Sequence, residues 1–118
     1  MRLVDEAFAA YARAERLCRT EEERLLLFMH RGSVSLGVPE GVFGKSAAGA
    51  DDFLSAAEIY SGRHDEKGVE SALLNAAACF DRAGKTGEAE AALVRAASLG
   101  NRSARTVYEL ARRGIELE

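Results

Sequence analysis

A chain of 118 residues is long enough for one hydrophobic core and too short for a second, substrate-bearing lobe. Its 47% hydrophobic and 30% charged residues are a globular balance, and a net charge of -3 with acids and bases interspersed excludes a sequence-wide basic surface for nucleic acid or an anionic membrane. Alanine dominates the apolar set, tryptophan is absent and Pro39 is the one proline, a composition that favours closely packed helices.

The first predicted helix runs from Arg2 to Cys18, with Leu3, Val4, Ala7, Phe8, Ala10, Tyr11, Ala14 and Leu17 in one wide apolar stripe. Thr20-Glu-Glu-Glu23 has the form of a capping box and starts a second helix, whose segment Leu25 to Met29 is apolar around most of its circumference. Residues 32 to 50 hold five of the eleven glycines and the proline, so they are predicted as a long Gly-rich connection. Within it Ser33-Val-Ser-Leu36 fits either an extension of the helix or a short strand. Asp51 or Asp52 caps the next helix, which carries Phe53, Leu54, Ala56, Ala57, Ile59 and Tyr60 and stops at Gly62. Asp65 caps a helix with Val69, Leu73, Ala76, Ala77 and Phe80, stopping at Gly84. Thr86 caps one with Ala89, Leu93, Ala96 and Leu99, stopping at Gly100. Asn101 or Ser103 starts a last one with Val107, Leu110, Ala111 and Ile115. Short loops make neighbours antiparallel, so the expectation is one all-α domain over residues 1–118, of about six helices in three hairpins.

Phe53-Leu54-Ser-Ala56-Ala57-Glu-Ile-Tyr60 aligns with Leu73-Leu74-Asn-Ala76-Ala77-Ala-Cys-Phe80, an internal repeat. Residues 70 to 103 resemble one tetratricopeptide (TPR) repeat. Leu73, Ala76, Ala77 and Phe80 take the large, medium, small and aromatic places of the first helix, and Ala89, Leu93 and Ala96 the small, large and small places of the second. Residues 104 to 118 look like the solvating helix that ends such an array, and Ala7, Tyr11 and Ala14 are similar to a second-helix signature. The chain departs from the family where Asn101 replaces the proline that usually closes a repeat and where residues 32 to 50 break the period. The resemblance implies a short TPR-like α-solenoid.

GVPEGVFGKS, residues 37 to 46, ends in the Gly44-Lys45-Ser46 of a phosphate-binding loop. Pro39, which has no amide hydrogen to donate, stands where the first glycine belongs, and no parallel sheet follows. His30 and His64 have no partner at a catalytic spacing. Cys18 and Cys79 lie in helical patterns without a CxxC pair, which predicts buried free thiols. The chain is therefore expected not to be an enzyme and to need no cofactor or metal. Lacking a long apolar run or a signal peptide, it is expected to be cytoplasmic.

The function expected from the resemblance is a non-catalytic protein-protein interaction module, an adaptor, scaffold or chaperone-like protein holding a peptide or helix on its concave face. Its groove would be lined by Leu74, Asn75, Ala78, Asp81, Arg82, Arg105, Tyr108, Glu109 and Arg112. Asn75 and Arg105 fall where related proteins clamp a terminal carboxylate, but Glu109 stands where that clamp needs a base, so that ligand is not predicted. The alternative is a structural protein that self-associates into a homo-oligomer through uncapped ends of the array, motivated by Leu25 to Met29. A small enzyme or ligand-binding protein using the 32–50 loop is the least favoured reading.

Overall fold

The computed structural model describes residues 2–100 and 102–116. Among them are seven helices and no strand: α1 (Arg2–Leu17), α2 (Glu21–Gly37), α3 (Glu40–Phe43), α4 (Ser46–Gly62), α5 (Glu66–Arg82), α6 (Thr86–Ala97) and α7 (Ala104–Arg113). The all-α expectation holds, with the one-turn α3 added to the six longer helices.

Several helix starts follow from local chemistry. The Thr20 hydroxyl accepts from the Glu23 amide at 3.1 Å while the Glu23 carboxylate accepts from the Thr20 amide at 3.1 Å, a reciprocal capping box. Asp65 accepts from the Gly68 amide at 3.0 Å, and the Ser103 hydroxyl from the Thr106 amide at 3.3 Å. Asn101 lies outside the described residues. Helix α6 differs: Lys85 holds the cap position without a side-chain bond and Thr86 is already helical.

Residues 32 to 50 are mostly helix rather than a connection. Helix α2 continues through Ser33, Val34, Ser35 and Leu36 to Gly37, and α4 begins at Ser46, so Asp51 and Asp52 are interior positions and not caps. Only residues 38–45 connect the two, and half of them form α3. Gly32 and Gly49 are contact points between helices. A Cβ on Gly32 would lie 3.0 Å from the Phe53 ring, and one on Gly49 would lie 2.7 Å from the Ser35 Cβ and 3.2 Å from the Cys79 sulfur. Each glycine costs about 1 kcal/mol of helix propensity. Close approach of α2, α4 and α5 around Gly49 offsets that cost through burial.

Packing follows chain order. Helix α4 lies between α2 and α5, α5 between α4 and α6, α1 on α2 and α7 on α6, with α2 also touching α5. One cluster joins Ala50 and Phe53 of α4 to Ala76, Ala77, Cys79 and Phe80 of α5 and Ala89 and Ala92 of α6. A second joins Leu25 to Ala56, Ala57, Val69, Ala72, Leu73 and Ala96, and a third seats Leu110 of α7 on Leu74, Leu93 and Ala97. Small residues on facing helices let the axes approach, and the few large ones fill the flanks. The Leu25 to Met29 segment is spent in this core. Leu25 is buried, Phe28 and Met29 pack on the second cluster, and Leu26 alone of the five is exposed.

Helix α1 buries no residue completely. Polar ties hold it: Arg31 of α2 donates to Glu15 at 2.6 Å, the Tyr11 hydroxyl and His30 Nδ1 are 2.9 Å apart, and the Lys45 ammonium lies 4.6 Å from the Phe8 ring centroid. The same Arg31 grips Asp52 of α4 with two bonds of 2.8 Å, its side chain 17% and that of Asp52 9% exposed.

Candidate functional site

Helix α5 presents Leu74, Ala77, Ala78, Asp81 and Arg82 along one face at helical spacing, and α7 presents Arg105, Glu109 and Arg112 in the same way. These eight residues line a cleft of about 180 Å³. Seven of the nine groove residues expected from sequence meet here: Leu74, Ala78, Asp81, Arg82, Arg105, Glu109 and Arg112. Asn75 does not line the cleft but holds Arg105 through its carbonyl oxygen at 3.1 Å. Tyr108 is 62% exposed and does not line the cleft, because it stands two residues from each of the buried Thr106 and Leu110 and so on the outer side of α7. Ala77 is an additional lining residue, a core position whose surface reaches the cleft.

The charges divide into two groups. Asp81 is ion-paired with Arg113 and lies 3.9 Å from Arg112, while Glu109 accepts from Arg112 at 2.7 Å, so both acids are neutralised within the chain. Arg82 donates to the carbonyls of Leu36 and Val38, the latter at 3.0 Å, and so closes the C-terminus of α2. Arg82 and Arg105 pair with no carboxylate among the described residues. The cleft therefore offers an apolar floor of Leu74, Ala77 and Ala78 beside guanidinium groups with unspent capacity for an anionic oxygen.

The wall formed by α7 is anchored by Glu70. Its buried carboxylate accepts from the Ser103 amide at 2.9 Å and from the Thr106 hydroxyl at 2.7 Å. Burial alone would raise its pKa, but the Ser103 amide, the Thr106 hydroxyl and the Ser103 hydroxyl together hold it below the ordinary value of 4.5. A carboxylate with a depressed folded pKa stabilises above its unfolded value, and that stabilisation is lost as pH falls through the folded value. Glu70→Gln is thus expected to lower stability by about 2 kcal/mol at neutral pH. The gap from wild type should begin to narrow as pH falls below the unfolded carboxyl value of about 4.3 and shrink further as pH approaches the lower folded value. Urea midpoints of both proteins across pH 3 to 7 measure this, and a gap that persists at low pH contradicts the tether.

The stretch 37–46 is built differently from a phosphate loop. Pro39 caps α3, and the Glu40 carboxylate accepts from the Ser46 amide at 3.0 Å, so the chain's own anion fills the N-terminus of α4. Ser46, whose amide donates to it, holds the Glu40 carboxyl below its ordinary value. Ser46 is fully buried and Lys45 is turned to Phe8, not free in solvent. Burial pushes the Cys79 thiol up to about 11, which leaves it protonated near neutrality, while Cys18 is half-buried rather than buried. His64 is exposed in the turn before α5 with a left-handed φ of 56°, and His30 is engaged by Tyr11. Among the described residues no three His, Cys, Asp or Glu side chains converge as a metal site, and no helix is long and apolar enough to cross a membrane.

No family model, curated protein or solved structure matches the chain.

Proposed function

We propose that this chain is a non-catalytic protein-interaction module of TPR-like type, a cytoplasmic adaptor, scaffold or chaperone-like protein that takes up a peptide or partner helix in the cleft between α5 and α7. One observation carries the reading: apolar side chains and two guanidiniums that pair with no carboxylate among the described residues line one cleft between α5 and α7. A space of about 180 Å³ suits one anchoring side chain, with the rest of the partner running over Arg105 and Asn75.

Because Arg82 also closes α2, reversing its charge would harm the fold, so Ala78 and Arg105 are the informative positions. A displayed random-peptide library selected on the wild-type chain should yield sequences that Ala78→Trp fails to hold and that Arg105→Gln holds at least tenfold more weakly, a loss of about 1.4 kcal/mol. Peptides that bind all three proteins equally would remove the cleft as the site.

A further inference from the structure

The chain as a whole carries a net charge of -3, yet the cleft between α5 and α7 carries the opposite sign. The guanidiniums of Arg82, Arg105 and Arg112 on its lining, and of Arg113 behind it, stand against the carboxylates of Asp81 and Glu109. Arg112 and Arg113 are the partners of those two acids, and Arg113 is mostly covered, its side chain 8% exposed. The surplus is therefore Arg82 and Arg105. Glu40 lies within the field of Arg82, but its carboxylate is occupied by the Ser46 amide at 3.0 Å.

Neutral oxygens hold both surplus groups in place. Arg82 gives one N–H to the Leu36 carbonyl and one to that of Val38, and Arg105 gives one to the Asn75 side-chain oxygen at 3.1 Å. A guanidinium has five N–H donors, so each keeps at least three for a ligand. These bonds set the two charges at opposite ends of the apolar floor. Asn75, where Arg105 is held, and Arg82 are two turns apart on one side of α5, which at 1.5 Å per residue is about 10 Å. Ala77 and Ala78 lie between them, with Leu74 beside Asn75.

We propose that the ligand of this cleft is an acidic peptide in which an apolar residue lies between two carboxylate side chains about three residues apart, one bound by Arg105 and the other by Arg82. The proposal rests on the reading of the cleft as a peptide site and names the chemistry of what that site holds. Its spacing follows from the geometry, because an extended peptide advances about 3.3 Å per residue and so covers roughly 10 Å in three. The apolar residue is what a floor of Leu74, Ala77 and Ala78 accepts, and its burial shields the charge-assisted bonds at either end from water. A lone terminal carboxylate would satisfy one guanidinium and leave the other without an anion. A polyphosphate would supply anions at both ends and no apolar side chain between them.

A displayed library of random peptides, joined to constant sequence at both ends so that no terminal carboxylate is offered, tests this on the full chain. Clones whose binding Ala78→Trp abolishes occupy the cleft. Among them the expected result is a pair of Asp or Glu about three positions apart around an apolar residue. Changing either acid to its amide should weaken binding at least tenfold at low salt and by much less at high salt. Charge exchange then identifies the pairing. Arg105 is exposed, so Arg105→Glu should keep wild-type helicity by circular dichroism, lose the selected peptide, and regain it when one of the two acids is replaced by Lys. Cleft-bound clones without the acid pair, or Lys-substituted peptides that Arg105→Glu holds no better than wild type does, overturn the proposal and leave the peptide-site reading standing. Clones that bind Ala78→Trp as well as wild type, or a library that yields no clone, overturn both.

Discussion

Asp52→Ala is expected to cost about 3 to 5 kcal/mol in urea unfolding, a large share of the stability of a domain of this size. The substitution removes both bonds to Arg31 and leaves its guanidinium in a mostly covered position with Glu15 as its remaining carboxylate. The cost comes from leaving that covered guanidinium half-paired and not from the net worth of the pair. Replacing both partners, as Arg31→Met/Asp52→Leu, is therefore expected to recover most of the loss, because two desolvated charges are exchanged for packing surface. Arg31 also holds α1 through Glu15, so amide exchange in α1 should rise in the double variant even where global stability returns. A single-variant loss below about 1 kcal/mol would mean that the pair is screened like an ordinary surface contact.

Phe53→Ala is the second large effect, about 3 to 5 kcal/mol. Phe53 is fully buried in α4 among residues of α5 and α6, and its ring faces Gly32 of α2. Truncation leaves a cavity at the junction of four helices, and their mutual packing limits collapse into it. The glycine contact provides an internal check. Gly32→Ala alone places a methyl 3.0 Å from the ring and should destabilise, whereas Phe53→Ala/Gly32→Ala should lose less than the sum of the two, the added methyl filling part of the space. Urea midpoints of the three variants measure this, and strict additivity would mean that ring and glycine are not in contact.

The capping residues Thr20, Asp65 and Ser103 and the core positions Leu73, Ala76, Ala77 and Phe80 were legible in the sequence because each signal is local: a hydroxyl or carboxylate three residues before an amide, or a stripe at helical spacing. Residues 32 to 50 were not. Five glycines and a proline carry the local signature of a loop, yet Gly32 and Gly49 are there for contacts with Phe53, Ser35 and Cys79 that only the packed helices define. The cleft stands between. The register implied by the TPR resemblance brought seven of its residues forward, but the direction of Tyr108 depended on which side of α7 meets α6. Arg31 with Asp52, Arg82 with the end of α2, and Glu70 with the start of α7 join positions 21 to 46 residues apart. No periodicity links such residues, and a single sequence offers no other signal for them.

Amide chemical-shift mapping on isotope-labelled chain, titrated with a peptide recovered on the wild type, locates the binding face. Shifts should concentrate in Leu74 to Arg82 of α5 and Arg105 to Arg112 of α7 and be abolished in Ala78→Trp. Shifts centred on α1, α3 or the outer side of α4, or failure of the chain to retain any peptide, would contradict the cleft as that face.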